Sequence, residues 1–415
     1  MTTGERTDII VAGAGPVGLV AALALARKNF QVTLIGPEPS SQEQRTAALM
    51  LPSIELLETV GLAARDLDEA APLSIMRIVD ATGRLIRSPA VTFRAAEIGE
   101  NAFGYNIPNR VLNAALAERV EASAGIRWER SLVSEWILHK NEVEAVVGNG
   151  ERITARLCVA ADGRSSSARE AAGIGVRHRA LPQTALVCNF GHKRHHGYAS
   201  TEFHTEHGPC TQVPLPGGYR SSLVWVMAPE QAALWAELSD DVLAERVETQ
   251  LQSMLGKVEI EQGRGLFPLS SVLPKRFAAR RVALVGEAAH VFPPITAQGL
   301  NLGLRDVADL SECVGDGFDD PGADQVLTRY ERRRLPDIFA RSGAVSLVNS
   351  SLLASNLPAQ LARGAGLALL DNIPGLRSFF MREGMRPGSG LRSILPTFPS
   401  LSRVRETDQP ADSRS

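Results

Sequence analysis

The sequence predicts a mixed α/β (α+β) chain in which a doubly wound parallel-sheet unit is interrupted by an antiparallel sheet and closed by C-terminal helices. Three observations predict it. A strand, a glycine-rich turn, an Ala/Leu-rich helix and a second strand follow one another between Asp8 and Ile35. Between Val176 and Val272 the segments TALVCNF, ASTEFHT, CTQVPLP and SSLVWVM alternate or run apolar with turn residues between them, as in an antiparallel sheet. After Asp309 the pattern is helical. The expected divisions are 1–75, 101–175 and 274–324 for three parts of the parallel unit, and 76–100 and 176–273 for the antiparallel sheet. A helical region at 325–386 and a disordered tail at 387–415, rich in Ser, Pro and charge, complete the chain.

Composition bounds the function. At 415 residues, with 44% hydrophobic and 22% charged residues, the chain has the make-up of a soluble globular protein of one large or two ordinary domains. A formal net charge of −2 gives no electrostatic basis for nucleic acid as a partner. Cys158, Cys188, Cys210 and Cys313 have no CxxC spacing and read as core thiols in a reducing compartment. The N-terminus, with Glu5 and Asp8, lacks a secretory pattern, and no run approaches the ~18 apolar residues of a spanning helix. A cytoplasmic protein is expected, at most peripheral to the inner face of the membrane.

The first element is the strand Asp8–Ala12, followed by Gly13-Ala14-Gly15-Pro16-Val17-Gly18, a helix over Leu19–Lys28 and a strand over Gln31–Ile35. In a GxGxxG at a strand–helix junction, Gly13 permits the tight turn and Gly15 lets the backbone approach a pyrophosphate. Gly18 lets helix and strand pack closely. The acid expected after the second strand, for a ribose, is absent: Gly36 stands there, and Glu38, between Pro37 and Pro39, is the nearest candidate. A βαβ unit alone does not separate NAD from FAD.

Arg45 precedes a helix over Pro52–Val60, and Arg110 opens a helix over Arg110–Ala124; each is a diphosphate partner or a surface arginine. Leu132–Leu138 and Val143–Val147 predict an antiparallel ribbon in place of a crossover helix. The strand Leu157–Ala161 ends in Asp162-Gly163-Arg164-Ser165-Ser166-Ser167-Ala168-Arg169, an acid at a strand end with hydroxyls to cap a helix, or a plain Asp-Gly turn. His192, His195, His196, His204 and His207 cluster without zinc-ligand spacing, so no metal site is predicted. Glu230–Leu255 reads as one amphipathic helical stretch.

The strand Val282–Val285 delivers Gly286 and Glu287 to a loop that continues through His290, Pro293 and Pro294. A helix resumes after Gln298-Gly299-Leu300-Asn301, its free N–H groups and positive dipole end suited to a planar ring that becomes anionic on reduction. Helices are then expected over Gln325–Ser342, over Ala344–Leu370 with a break at Pro358, and over Gly375–Arg382. The apolar stretch Leu357–Met385, interleaved with Arg363, Arg377 and Arg382, is either a cap on the core or a membrane-surface or partner-binding face.

With these segments in this order, the chain resembles the single-component flavoprotein aromatic monooxygenases related to p-hydroxybenzoate hydroxylase. Among them it is most similar to the ubiquinone-biosynthesis hydroxylases, over roughly Asp8 to Gly384. The run Gln298-Gly299-Leu300-Asn301-Leu302-Gly303-Leu304-Arg305-Asp306 is the most specific match. The resemblance implies a Rossmann-like FAD-binding domain, with FAD held by Gly13, Gly15, Pro16, Gly18, Glu38, Arg45, Arg110, Asp162, Gly286, Glu287, Pro294, Gly299, Leu300 and Asn301. It implies NAD(P)H or a protein electron donor as reductant, O2, and oxygen transfer to a phenol through a flavin C4a-hydroperoxide. The aromatic substrate, prenylated by this resemblance, would lie between the flavin and the sheet of Ala185–Met227, with a peripheral membrane or quinone-biosynthesis complex as a further contact. It supplies no catalytic acid or base, and His290 reads as structural. Three departures stand out: Glu287 for aspartate, Ala297 for glycine, and Gly36 for the ribose acid. Hydroxylation of a soluble aromatic acid, and a non-catalytic subunit that keeps the fold, remain alternatives.

Overall fold

The computed structural model describes residues 5–41, 43, 45–83, 89–206, 208–293, 298–315, 319–353, 373, 377–379, 381 and 382, with side chains for all of these except Gln298 and 340–353. Pro294, Ala297, His207, Phe380 and the tail from 387 lie outside the described residues.

The first sheet is built from unbroken apolar runs. Its strands lie in the order Ala278–Ala279, Val282–Leu284, Leu157–Ala160, Ile9–Ala12, Val32–Ile35 and Ile126–Glu129, all parallel except the first. Every residue of Ile9–Ala12, Val32–Ile35 and Leu157–Ala160 is buried, because both faces of the sheet are covered, by helices such as Pro16–Ala26 and by the small antiparallel sheet whose Val143, Ala145 and Ile153 share its core. The Pro16–Ala26 helix starts with proline in its first turn, where the missing N–H costs nothing, and buries Leu19, Val20, Leu23 and Leu25. A small sheet of Glu5–Arg6, Arg152–Ala155, Val143–Val147 and Val133–Leu138 holds the expected ribbon.

The second large sheet runs Val258–Ile260, Val176–His192, Arg220–Met227, Gly208–Pro214, Ala199–Thr205, Ile75–Asp80 and Val91–Arg94, with Gly265–Pro274 also paired to Val176–His192. Its strands alternate, as a sheet with two unlike faces must. One face buries Leu186, Phe190, Phe203, Cys210, Leu223 and Trp225 in a cluster with Leu243 and Val247 of the helix Asp240–Gln250. The opposite face carries half-buried Val187, Asn189, Glu202, Thr211, Val213 and Val224. That face is turned toward the parallel unit at both flanks. On one flank the Arg45 guanidinium lies 5.4 Å from the centre of the Phe267 ring; on the other, Met76 and Phe93 pack with Met50 and Phe103.

Two helical expectations are corrected. The stretch 230–255 is two helices, Pro229–Ala236 and Asp240–Gln250, because Ser239 is extended and Asp240 and Asp241 fall in a new first turn, where the helix dipole favours acids. Conversely, one helix spans Asp324–Leu353 through Pro336, and the separation expected between Ser342 and Ala344 is absent. Pro358 lies outside the described residues. Of the apolar C-terminal stretch, Arg377 pairs with Glu97 at 2.8 Å, Arg382 donates to the Ile98 carbonyl at 3.3 Å, and Met381 is buried beside Ala95 and Phe103. These residues face inward.

A buried polar centre joins the helices to the sheet. Asp306, fully buried, accepts from the Gly286 N–H at 2.9 Å, from His290 Nε2 at 2.7 Å and from Arg334 Nε at 2.7 Å. Arg334 also reaches Asp309 at 2.9 Å and Asp337 at 3.0 Å. Burial works against the Arg334 charge, but these carboxylates more than offset it and its pKa is raised. Removing one partner of such a group leaves an uncompensated buried charge. Arg334→Ala should therefore lower stability by about 3–5 kcal/mol in chemical denaturation; a loss under about 1 kcal/mol would show that the centre is not structural.

Candidate active site

The loops of interest all leave the same, carboxyl edge of the parallel sheet, where ligands bind in open α/β folds. In the first loop the three glycines differ in kind. A Cβ on Gly13 would lie 2.3 Å from the Ala161 carbonyl oxygen, and one on Gly18 would lie 1.8 Å from the Gly13 carbonyl oxygen, so both are required by the protein's own packing. A Cβ on Gly15 would meet nothing within 4 Å. The open side at Gly15, just before the Pro16–Ala26 helix, exposes backbone N–H groups at a helix N-terminus, an anion site by geometry and dipole.

Gly36, the departure from the ribose acid, has a steric cause. A Cβ there would lie 2.7 Å from the Ala14 nitrogen, and Trp128 Nε1 donates to the Gly36 carbonyl at 2.9 Å. Glu38, two residues on, is exposed and paired with Arg130, whose guanidinium lies 4.6 Å from the Trp128 ring centre.

Asp162 follows the Leu157–Ala160 strand. Its Oδ2 accepts from the Ala168 N–H at 3.2 Å and the Ser167 hydroxyl at 3.3 Å, while its Oδ1 is buried with no hydrogen-bond partner. Ser166 caps the short helix by accepting from the Arg169 N–H at 3.0 Å. Arg169, buried, donates to the Ala288 carbonyl at 2.8 Å and the Arg164 carbonyl at 2.9 Å, and so fixes the loop of Asp162 to that of Gly286–Ala288. Glu287 pairs with Arg164 at 3.0 Å, both side chains half exposed. Arg45 is held by Glu43 at 2.9 Å, and its pKa is raised first by that bond and further by Glu287, which puts Arg45 and Glu287 in one field. Arg110 stands apart, paired with Glu69 at 2.6 Å on the surface.

The helix Gln298–Gly315 opens the remaining side. Gly299 and Leu300 lie in its first turn. Asn301 is occupied otherwise: its Oδ1 accepts from the Met50 N–H at 2.8 Å and Ser53 Oγ at 2.7 Å, and its Nδ2 donates to the Ala48 carbonyl at 2.7 Å. This side chain pins the helix to residues 48–53. His290 is 2% exposed and bonded to Asp306, as expected of a structural residue.

His192 and His196 of the second sheet are held by local hydrogen bonds. His196 Nε2 lies 2.9 Å from the Leu215 carbonyl and its Nδ1 accepts from the Tyr198 N–H at 3.0 Å; burial lowers its pKa and that of His192. Among the described residues no group of His, Cys, Asp or Glu is placed to hold a metal ion. All four thiols are buried, and burial pushes Cys188 up to about 12, which removes it as a nucleophile.

Sequence reasoning did not give Asp306 and Arg334 their role. Asp306 was visible as part of a motif, but Arg334 is one of three consecutive arginines, and only the helix phase tells the buried one from Arg332 and Arg333.

The profile of the FAD binding domain family matches residues 6–340. The chain is 32% identical to a ubiquinone hydroxylase, UbiL, of Rhodospirillum rubrum, over 95% of this chain and 92% of that protein. It is 30% identical to the 3-demethoxyubiquinol 3-hydroxylase of Escherichia coli, over 94% of this chain and 100% of that one. Among solved structures, PqsL of Pseudomonas aeruginosa, a probable FAD-dependent monooxygenase, shares the fold with a TM-score of 0.73 at 21% identity, over 88% of this chain and 100% of that one. The chain belongs to the FAD-binding domain family and is a flavoprotein. Its residues fit the cofactor: a Cβ on Gly15 would meet open space within 4 Å among the described residues, and Asp162 Oδ1 is buried without a partner among them.

The two glycines give a sharp test. Gly15→Val should yield a folded, colourless protein that melts like the FAD-free parent, whereas Gly18→Ala, whose Cβ would lie 1.8 Å from the Gly13 carbonyl oxygen, should fail to fold stably. A yellow Gly15→Val protein with full flavin content would remove this loop from the site.

Proposed function

We propose that the protein hydroxylates the aromatic ring of a polyprenylated phenol on the route to ubiquinone, using FAD, O2 and a reductant. The observation that carries this is the open space at Gly15, at the same sheet edge as Asp162 and Gly286–Glu287. The near full-length likeness to hydroxylases of ubiquinone intermediates supports the choice of substrate.

In this proposal the backbone of Gly13, Gly15 and Pro16, packed by Gly18, receives the diphosphate at the N-terminus of the Pro16–Ala26 helix. Glu38 serves the ribose, and Arg45 and Arg110 balance phosphate charge, Arg110 by leaving Glu69. Asp162 Oδ1 gains the partner it lacks, and Gly286 and Glu287 hold the ribityl chain, Glu287 turning from Arg164. The N–H groups of Gly299 and Leu300 stabilise negative charge on the flavin ring, and Asn301 keeps that helix end in place. Pro294 belongs to the same wall, outside the described residues. Bound and reduced, FAD supplies the activation of dioxygen; the protein supplies orientation, exclusion of water and charge balance.

The overall balance is one phenol, one O2, one NAD(P)H and one proton giving the hydroxylated phenol, NAD(P)+ and water, or the same with electrons from a protein donor. No helix among the described residues is long and apolar enough to cross a membrane. A long prenyl tail therefore needs delivery from a membrane surface or a partner complex. The test is turnover under isotopically labelled dioxygen with a short-chain 2-prenylphenol. One labelled atom per product, with stoichiometric NAD(P)H or donor oxidation, is expected; reductant consumption giving only hydrogen peroxide, with no labelled product from any phenol, would overturn the proposal.

A further inference from the structure

On the half-open face of the second sheet stands an acid that the cofactor site does not use. Glu202 lies on the Ala199–Thr205 strand, between Thr211 and Ile78 of the two neighbouring strands by register. Its row continues through Val224 to Val187, so it shares the cleft face with the residues that border Arg45 and Phe267. Two residues on, and on the same face, is His204, whose Nε2 lies 2.9 Å from Glu202 Oε1. His204 is 7% exposed, and its Nδ1 is buried without a partner. Among the described residues Glu202 Oε2 has no hydrogen-bond partner, and it is not among the fully buried atoms without one; the side chain as a whole is 14% exposed.

This is a carboxylate fixed from behind by an imidazole, one oxygen held and one offered. The surrounding row is otherwise apolar or hydroxylic: Ile78, Thr211, Val224 and Val187. An acid exposed on such a floor is costly to keep unless it meets a polar group of a ligand. A phenol presents one O–H donor on an otherwise apolar ring, which matches this floor.

Resting on the hydroxylase reading above, we propose that Glu202 is the phenol-recognising residue and proton acceptor of the reaction, with His204 as its positioning residue. Glu202 Oε2 accepts the phenolic O–H. As oxygen enters the ring, the phenol O–H bond breaks, an Oε2–H bond forms, and the electron pair left on the phenol oxygen flows into the ring toward the attacked carbon. When that carbon loses its own hydrogen as a proton to water, the Oε2–H bond breaks and its proton returns to the phenol oxygen, so the ring is aromatic again and Glu202 is again a carboxylate. His204 donates Nε2–H to Oε1 throughout and fixes the carboxylate plane. Among the described residues, Asp80 also faces the pair, set against His204 by register and accepting from the Thr82 N–H at 3.1 Å and the Thr82 hydroxyl at 2.7 Å.

The experiment uses the flavin-loaded full chain and two probes, a short-chain 2-prenylphenol and its ring-fluorinated, more acidic counterpart. Glu202→Gln keeps the size and the hydrogen bond to His204 but cannot take a proton. It should lower turnover of the prenylphenol about 100-fold and that of the fluorinated phenol much less, with flavin content and melting temperature unchanged. A second readout needs no turnover. Bound to the oxidised holoenzyme, the fluorinated phenol should stay neutral to higher pH in the parent than in Glu202→Gln, because the carboxylate disfavours a phenolate beside it. The ultraviolet phenolate band reports it. Equal losses on both phenols, or the same ionisation of the bound phenol in parent and variant, would overturn the assignment. If Glu202→Gln loses its flavin, Glu202→Ala, which also removes the carboxylate, carries the same comparison. A parent that hydroxylates neither phenol would instead sink the hydroxylase reading itself.

Discussion

A single buried carboxylate, Asp306, is the constraint on which the rest of the nucleotide-binding half depends. A charge with no access to water must be paired on all sides or it destabilises the fold. Here the partners come from two separate elements: the Gly286 N–H and His290 from the loop after the Val282–Leu284 strand, and Arg334 from the Asp324–Leu353 helix. Asp306 itself stands on the Gln298–Gly315 helix. The loop that carries Glu287 and the helix end that carries Gly299 and Leu300 are thus fixed relative to each other before any ligand arrives. Asn301 adds a second tie from that helix to residues 48–53. Preorganisation of this kind is what a cofactor site needs, since binding then need not order the loops.

The second loop of the site is held by an arginine of similar character. Arg169 spends both terminal nitrogens on the carbonyls of Ala288 and Arg164, and so couples the Asp162 loop to the Gly286 loop. The groups left outside these ties are Glu287, Glu38, Arg45 and Arg110, all at the surface and paired with a neighbour. Fixed backbone in the interior and exchangeable side chains at the rim form a coherent division. Surface ion pairs are worth little, so a ligand can displace them at small cost.

The nucleotide-binding half was legible because its signals are local. Unbroken apolar strands, a GxGxxG in the right context and an acid at a strand end each declare themselves within a few residues, and each loop opens at the expected sheet edge. Asn301 shows the limit. Sequence position put it at the cofactor, and its side chain also bonds Met50, Ser53 and Ala48 from about 250 residues away, a tie that no local pattern encodes. Gly36 likewise looked like a missing ribose acid; its cause is contact with the Ala14 backbone. Helix boundaries at 237–239 and 342–344 were misplaced because amphipathic patterns run on across a break, and because a glycine within a long helix is tolerated when packing is adequate. The two faces of the second sheet were invisible until register fixed which residues stand side by side. Glu202 and His204, two residues apart, are the product of that register.

The central claim is that four segments far apart in sequence form one flavin site: 13–18, 162–169, 286–290 and 298–301. Hydrogen exchange of the apoprotein with and without added FAD tests it most directly. Protection rising in all four segments together, with the 229–250 helices unchanged, is the predicted result. Protection confined to one segment, or appearing mainly in the second sheet and its helices, would contradict it.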